Sequence, residues 1–295
     1  MDGLHAFYVM VYRQIKRFVR ARSRVVTMFV QPVLWIFFFG LGMGAVFTFA
    51  SSSTDLSKLL PPDLVNNPSF ARVLPELAKA LNDAVNSMVR KQFGGLDYVT
   101  FLTTGIVAMT IFMGSFMSGV SVIWDKQFGF LKETLVAPAP RTLVILGRSF
   151  GDVIVTLFQA TIIALIAKAI APGINLLGLP LALAYGFIMA LGFASAGIAI
   201  AVKMNSPEGF QMIMNLLVMP LQFLSGIFFP IDRMPEWAQW IAYANPLTYA
   251  VDGIRYWLTG VSRFNPLLDV ALLTGLSAVL IAVASALFEK ATIED

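Results

Sequence analysis

Six long stretches of apolar residues constrain this chain more than any other feature of its sequence. A helix that crosses about 30 Å of hydrocarbon needs roughly 20 apolar residues, because each residue adds about 1.5 Å. The segments of this length are Val25–Ala50, Tyr98–Trp124, Leu143–Ile170, Leu179–Val202, Glu208–Phe229 and Pro266–Phe288. They predict an all-α integral membrane protein with six transmembrane helices.

The composition agrees with this fold class and excludes several kinds of function. Of the 295 residues, 58% are hydrophobic and only 13% are charged, about half the charged fraction of a soluble domain. The sequence contains no Cys and one His, His5. Metal sites built from these side chains and Cys or His catalysis are therefore not expected. A membrane enzyme is the least favoured class, because no His, Cys or carboxylate set converges.

The Lys and Arg residues indicate the orientation of the spans. If the chain starts inside, 12 of its 21 basic residues lie on the inner side, and six of these precede the first span. Cytoplasmic segments carry the excess of Lys and Arg. We therefore expect both termini in the cytoplasm and the protein in the plasma (inner) membrane. Topology alone accounts for the net charge of +4, so nucleic acid is not an expected partner, and the long first apolar stretch does not fit a cleaved signal peptide.

Residues 1–24 have the pattern of an amphipathic helix, with apolar and basic side chains on opposite sides at 100° per residue. The apolar side holds Leu4, Phe7, Tyr8, Val11, Ile15, Phe18 and Val19. The basic side holds Arg13, Lys16, Arg17, Arg20 and Arg24. Such a helix lies in the membrane interface. It is either a simple anchor or an elbow helix that also touches a cytosolic partner.

The segment 51–97 is predicted to be an outer loop. Pro75 opens a short helix in it, and Gly94 and Gly95 close that helix. A cap over an exit path and a passive surface loop both remain open as roles.

The segment 230–260 holds six of the twelve Trp and Tyr residues of the chain. These rings prefer the headgroup level, so the segment is predicted to form outer re-entrant helices, with a break at Asn245 and Pro246. Asp252 and Arg255 are three residues apart and could pair on one helical face.

The fifth apolar stretch carries polar residues on one side, within an arc of about 60° on a straight helix. These residues are Glu208, Gln211, Asn215 and Gln222, with Met212 and Met219 beside them. The stripe either bonds to a neighbouring helix or lines a cavity in which flexible methionines adapt to varied ligands.

Two stretches of the sequence carry a recognisable pattern of residues. The first runs from Asp125 through Lys126, Gln127, Phe128, Gly129, Phe130, Leu131, Lys132, Glu133, Thr134 and Leu135 to Pro138, Pro140 and Arg141. The second runs from Phe223 through Gly226 to Pro230, and continues with Asn245, Pro246, Tyr249, Asp252 and Arg255. Both stretches resemble the ABC transporter type-2 permeases, and the resemblance implies that residues 25–295 form a type-2 ABC transmembrane domain.

The resemblance also implies roles for individual residues. Coupling to an ATPase subunit through a helix within 125–141 is expected of Asp125, Lys126, Phe128, Gly129, Leu131, Glu133 and Leu135. Substrate contacts are expected of Thr103, Met113, Gln211, Asn215 and Met219, because the second and fifth spans line the cavity in this family. The family pattern at the outer end assigns Gly226, Pro230, Asn245, Pro246, Tyr249, Asp252 and Arg255 to its signature segment.

The sequence lacks a G-x-x-x-x-G-K-[ST] motif, so ATP and Mg²⁺ are expected on a separate nucleotide-binding subunit rather than on this chain. A second permease subunit is expected to complete the cavity in a homodimer or heterodimer. The favoured function is ATP-driven export of hydrophobic or amphiphilic molecules. The alternatives are a polysaccharide or glycolipid exporter of the same family, and a secondary carrier or channel that works without an ATPase.

Overall fold

The computed structural model describes residues 3–44, 68–129 and 141–289, and every regular element within them is a helix. The first helices are α1 (Gly3–Arg20), α2 (Arg22–Trp35, continuing as a π-helix over Ile36–Met43), α3 (Pro68–Gln92), α4 (Tyr98–Phe116), α5 (Ser118–Gln127) and α6 (Arg141–Ile170). They are followed by α7 (Leu179–Val202), α8 (Pro207–Ile213, continuing as a π-helix over Met214–Val218), α9 (Met219–Phe223), α10 (Glu236–Ala244), α11 (Pro246–Thr259) and α12 (Pro266–Glu289). Single 3₁₀ turns lie at Leu176–Gly178 and Ile231–Arg233.

Five helical segments of the described chain are long and apolar enough to cross a membrane. They are Val26–Met43, Tyr98–Gln127, Leu146–Ile170, Leu176–Val202 and Pro266–Leu287. The all-helical fold class is confirmed, and five of the six predicted spans coincide with these segments. The last six residues predicted for the first span, 45–50, lie outside the described residues.

The predicted fifth span, Glu208–Phe229, differs from the other five. The continuous helix formed by α8 and α9 ends at Phe223, and at about 1.5 Å per residue it extends only about 25 Å. Gly226 then lies in a turn with a φ of +79°, a left-handed conformation that glycine adopts without steric cost. The apolar residues Ile227 and Phe228 continue the hydrophobic run in the sequence, but they are buried in the core after this turn.

Helix α3 is longer than the sequence indicated. It begins at Pro68, and Pro75 lies inside it, so the prediction that Pro75 opens the helix is wrong. The predicted end is confirmed, because Gly94 and Gly95 follow with φ values of +68° and +93°.

Helix α4 forms the centre of the molecule and is buried along nearly its whole length. It contacts α6, α7, α11 and the π-helical end of α2. Its start is capped by Asp97, whose carboxylate accepts a hydrogen bond from the Thr100 backbone N–H at 2.9 Å. Such a cap satisfies an N–H group that has no partner in the first helical turn.

Two pairs of helices approach each other closely at glycines. A Cβ atom on Gly119 of α5 would lie 2.3 Å from the Gly197 carbonyl oxygen of α7. On α6, a Cβ on Gly147 would lie 2.8 Å from the Phe7 carbonyl oxygen, and one on Gly151 would lie 2.8 Å from the Gln14 Cβ. Small residues let membrane helices pack backbone to backbone, so α5 is fixed against α7 and α1 against α6.

The side chain of Gln159 satisfies a backbone carbonyl of α2 that Pro32 leaves without its helical partner. Proline has no N–H, so the carbonyl of Met28 loses its usual partner four residues on. The Gln159 amide of α6 donates to that carbonyl at 2.5 Å. An unpaired carbonyl at membrane depth is costly, and this bond therefore fastens α2 to α6.

Candidate transport groove and its two ends

An open groove of about 1110 Å³ lies between α2, α5 and α8. Its walls are formed by Thr27 of α2, by Met117, Val120 and Trp124 of the α4–α5 segment, and by the first turns of α8. Helix α8 is held in place at its start by Ser206, whose hydroxyl accepts from the Gly209 N–H at 3.0 Å. Phe210 is fully buried and anchors α8 against α5 and Phe116.

Two of the predicted substrate contacts lie in this groove, next to each other. Gln211 and Asn215 line it, and the Gln211 Nε2 donates to the Asn215 Oδ1 at 3.1 Å. Met212 and Leu216 also line the groove and are 71% and 74% exposed. Met219 is 56% exposed one turn further along. The exposed side of α8 and α9 therefore combines amides with flexible apolar side chains.

Met113 lines a separate cavity of about 220 Å³ between α2, α4 and α6. This cavity shares Thr27 and Met117 with the groove. Thr103, by contrast, is fully buried in α4, and its hydroxyl donates to the Val99 carbonyl at 2.7 Å. The structure thus places Gln211, Asn215 and Met113 at connected openings and does not bring Thr103 to either of them.

Four side chains form an ionic cluster at the end of α5, which we call the Asp125 cluster. The buried Asp125 carboxylate accepts from Arg148 Nη1 at 2.7 Å, Arg13 Nη2 at 3.2 Å and Arg17 Nη1 at 3.5 Å. Arg148 also donates to the Ser121 Oγ at 2.7 Å. These charge-assisted bonds join α1, α5 and α6.

A second polar contact lies about one helical turn along α6. The carboxylate of Asp152 accepts from the Gln14 Nε2 at 3.3 Å and from the Ser118 hydroxyl. Helix α1 therefore contributes two positive side chains, Arg13 and Arg17, and the polar Gln14 to the bundle, in addition to its apolar side.

The end of α5 is also tied to the connection between α7 and α8. Lys126 Nζ donates to the Val202 carbonyl at 2.5 Å and to the Asn205 Oδ1 at 3.4 Å. A cation at this position complements the negative end of α7. Gly129 then ends α5 with a φ of +79°, and the ring of Phe128 is 71% exposed. The predicted coupling residues Leu131, Glu133 and Leu135 lie outside the described residues.

At the opposite end of the molecule, the predicted break between two short helices is confirmed. Asn245 caps α11 by accepting from the Leu247 N–H at 3.0 Å, and its amide donates to the Leu221 carbonyl at 2.7 Å. Pro246 occupies the first turn, where a missing N–H costs nothing. The Tyr249 hydroxyl donates to the Tyr243 carbonyl at 2.7 Å, which ties α11 to α10.

The suggested pairing of Asp252 with Arg255 is wrong, because each side chain bonds elsewhere. Asp252 accepts from the Ser262 hydroxyl at 2.9 Å and from the backbone N–H groups of residues 263 and 264. Arg255 donates to the carbonyl of Gly226 at 2.9 Å. The two residues therefore hold the loop after α11 and the turn near Pro230, respectively.

Several of these contacts have no local signal in the sequence. Asp125 and Arg148 are 23 residues apart, Gln14 and Asp152 are 138 apart, and Gln159 and Met28 are 131 apart. Only the G-x-x-x-G spacing of Gly147 and Gly151 marks the close contact of α6 with α1 in advance.

The spans, the groove and the short helices over residues 236–259 are those of an integral membrane permease, and the chain belongs to the ABC-2 type transporter family, whose model matches residues 5–259. Members of this family are membrane transport subunits and not catalytic ATPases. The chain is 31% identical over 172 residues to "Putative transport permease ycf38" of Pyropia yezoensis, a match that covers 56% of this chain and 58% of that protein.

Two further relatives come from Escherichia coli (strain K12). "Inner membrane transport permease YadH" is 25% identical over 181 residues, covering 61% of this chain and 68% of the relative. "Probable multidrug ABC transporter permease YbhR" is 29% identical over 164 residues, covering 53% of this chain and 43% of the relative. The chain thus spans less than two thirds of the length of the first curated relatives it matches.

Proposed function

We propose that this chain is the permease subunit of an ATP-driven exporter that moves hydrophobic or amphiphilic molecules across the plasma membrane. The observation that carries the proposal is the chemistry of the groove. Its lining is mostly apolar, with two amides and a single carboxylate, that of Glu208. Such a surface favours ligands with large apolar parts and few charges.

The open shape of the groove supports a second permease subunit as its other half. Helix α8 contacts α5 but leaves its Met212 and Leu216 side chains exposed. In a membrane, apolar side chains alone could face lipid, but the amides of Gln211 and Asn215 on the same side favour a protein neighbour. In the proposed dimer, the two grooves face each other and enclose one cavity with six spans contributed by each subunit, α8 and α9 counted among them.

ATP would be hydrolysed, with Mg²⁺, by nucleotide-binding subunits that dock at residues 125–141. The exposed Phe128 ring supports this assignment, because an apolar side chain at the end of α5 offers a contact for a partner. The Asp125 cluster would transmit a movement of the docking segment to α1 and α6. With both termini in the cytoplasm, this end of the bundle faces the ATPase, and α1 lies along the inner interface as an elbow helix.

The test uses inside-out vesicles that contain this chain together with the nucleotide-binding protein encoded nearest to its gene. We expect ATP-dependent uptake of a lipophilic fluorescent dye. Asn215→Leu should change the order of preference among a panel of dyes, and the matched control Asn86→Leu on the exposed side of α3 should not. Phe128→Ala should reduce dye-stimulated ATP hydrolysis without lowering the thermal stability of the chain.

Three outcomes contradict the proposal. Uphill dye uptake by vesicles with this chain alone would indicate a secondary carrier. An unchanged dye profile in Asn215→Leu would remove that residue from the substrate site. Uptake of a lipid-linked glycan, with no uptake of any dye, would favour the polysaccharide or glycolipid exporter.

A further inference from the structure

A polar cavity of about 400 Å³ lies at the end of α4 opposite the Asp125 cluster, separate from the groove. It is enclosed by the end of α3, the start of α4, the turn at residues 225–233, α11 and the loop at 261–263. Its volume lies within the range of about 300–1,000 Å³ that is typical of small-molecule sites.

Arg255 reaches this cavity from α11 and is only 6% exposed. Its Nε donates to the Thr104 hydroxyl at 3.3 Å, and its Nη2 donates to the carbonyls of Phe101 at 3.4 Å and Gly226 at 2.9 Å. The guanidinium carbon lies 3.8 Å from the centre of the Phe101 ring. None of these partners is a carboxylate, and Nη1 donates no hydrogen bond to any described residue.

The remaining charges of the cavity do not neutralise its positive character. Lys91, Arg233 and Arg263 line it together with Arg255, against two carboxylates. Asp232 is paired with Arg263, and Asp252 already accepts from the Ser262 hydroxyl and two backbone N–H groups. Four positive and two negative side chains leave a net charge of +2. Arg255 is buried, whereas Lys91 and Arg233 are exposed at the cavity. A group of cations of this kind favours an anion with several acceptor oxygens.

An apolar pocket of about 450 Å³ adjoins the polar cavity. The two share Gln92, Phe93, Pro230 and Arg233 in their linings. The rest of the apolar pocket is formed chiefly by Met43, Tyr98, Phe223, Leu224, Phe229 and Trp237. A ligand that bridges the shared wall therefore needs an anionic end and an apolar end.

We propose that these two spaces together bind an anionic amphiphile, with a phosphate-bearing headgroup beside Arg255 and Arg233 and an apolar chain against Phe229 and Trp237. The arrangement matches charge to charge and hydrocarbon to hydrocarbon. It does not depend on which molecules the groove transports, because no residue is common to the groove and these two spaces.

Trp237 supplies a reporter for the apolar pocket. The full chain is placed in phosphatidylcholine nanodiscs that contain increasing fractions of phosphatidylglycerol with brominated acyl chains, which quench nearby tryptophan fluorescence. We expect saturable quenching, and we expect Trp237→Phe to remove most of the saturable part. Brominated phosphatidylcholine should quench the tryptophan fluorescence only gradually and without saturation, as the bulk lipid around the protein does.

The headgroup contact is tested with Arg233→Gln, because this side chain is exposed and its replacement should change stability little. We expect about tenfold weaker saturable binding of phosphatidylglycerol, as for the loss of one charge-assisted hydrogen bond. Arg255→Lys should weaken binding less than Arg255→Gln. The control Arg72→Gln, on an exposed position of α3 outside both spaces, should bind as the unchanged chain does.

Each of the following results would overturn the proposal. Equal saturable binding of phosphatidylcholine would show that the charge of the lipid does not matter. Unchanged binding of phosphatidylglycerol to Arg233→Gln would show that the polar cavity does not hold the headgroup. Displacement of phosphatidylglycerol by inorganic phosphate at similar concentration would show that the acyl chains of the lipid contribute nothing to binding. Saturable quenching that persists in Trp237→Phe would place the lipid elsewhere.

Discussion

Removing the Asp125 carboxylate should destabilise the protein strongly. The side chains of Asp125 and Arg148 are only 3% and 7% exposed, and they are joined at 2.7 Å. Breaking a buried pair by removing one partner costs about 3–5 kcal/mol, because the remaining charge stays buried without compensation. Arg13 and Arg17 are about a third exposed. Water screens their ion pairs with Asp125, so each pair contributes only about 0–1 kcal/mol to stability.

The expected result for Asp125→Ala is therefore a loss of about 3–5 kcal/mol, or roughly 6–20 °C in Tm at about 2–4 °C per kcal/mol. The measurement is thermal unfolding of the purified chain in detergent, followed by the loss of its monodisperse chromatographic peak. The matched control is Asp83→Ala on α3. Asp83 is exposed, and its replacement should change stability by no more than about 0.5 kcal/mol.

A double substitution separates the energy of the Asp125–Arg148 interaction from the cost of changing each residue alone. Asp125→Leu combined with Arg148→Met leaves no buried charge from this pair, and it should cost about 2–3 kcal/mol less than the sum of the two single changes. Equal Tm values for Asp125→Ala and Asp83→Ala, or strictly additive single changes, would refute the reasoning that Asp125 compensates a buried arginine.

Two further substitutions test the packing of the helices. Gly119→Val should prevent stable folding, because even its Cβ would overlap a backbone oxygen of α7. The control Gly275→Ala meets nothing within 4 Å and should leave the yield of folded protein unchanged. Similar yields of the two variants would contradict the close contact. Gln159→Leu should lower stability by about 1–3 kcal/mol by leaving the Met28 carbonyl unpaired. In a Pro32→Ala background the restored N–H can donate to the Met28 carbonyl, so Gln159→Leu should lower the free energy of unfolding by less. An equal loss in both backgrounds would contradict the proposed role of Gln159 as the partner of that carbonyl.

Much of the fold was predictable because membrane spans are long and bounded by recognisable residues. The predicted range Leu179–Val202 coincides with α7, since Pro180 fits its first turn and Lys203 follows its apolar run. The end of the fifth stretch was predicted six residues too late, at Phe229 instead of Phe223, because Ile227 and Phe228 are as apolar as a span although they follow the turn at Gly226. Hydropathy counts such residues without recording whether they face lipid or the protein core.

The candidate site was predictable only in part. The stripe of Gln211 and Asn215 repeats at helical spacing and could be found, and both residues line the groove. Thr103 was assigned to the site only through the family resemblance, and its hydroxyl bonds to a carbonyl of its own helix. The role of Asp125 in joining three helices could not be foreseen, because its partners come from positions 13, 17 and 148, and only folding brings them together.

The attachment of α1 to α6 has a consequence for the order of synthesis. The partner of Gln14, Asp152, follows it by 138 residues, and Gly147 and Gly151, which accommodate α1, are made at about the same time. While the ribosome translates the intervening helices, the face of α6 on which α1 packs does not yet exist, and the amphipathic character of α1 suits it to lie on the bilayer surface until then. Its final seating is thus a late step of biogenesis, and nascent chains released before α6 emerges should leave α1 accessible to protease.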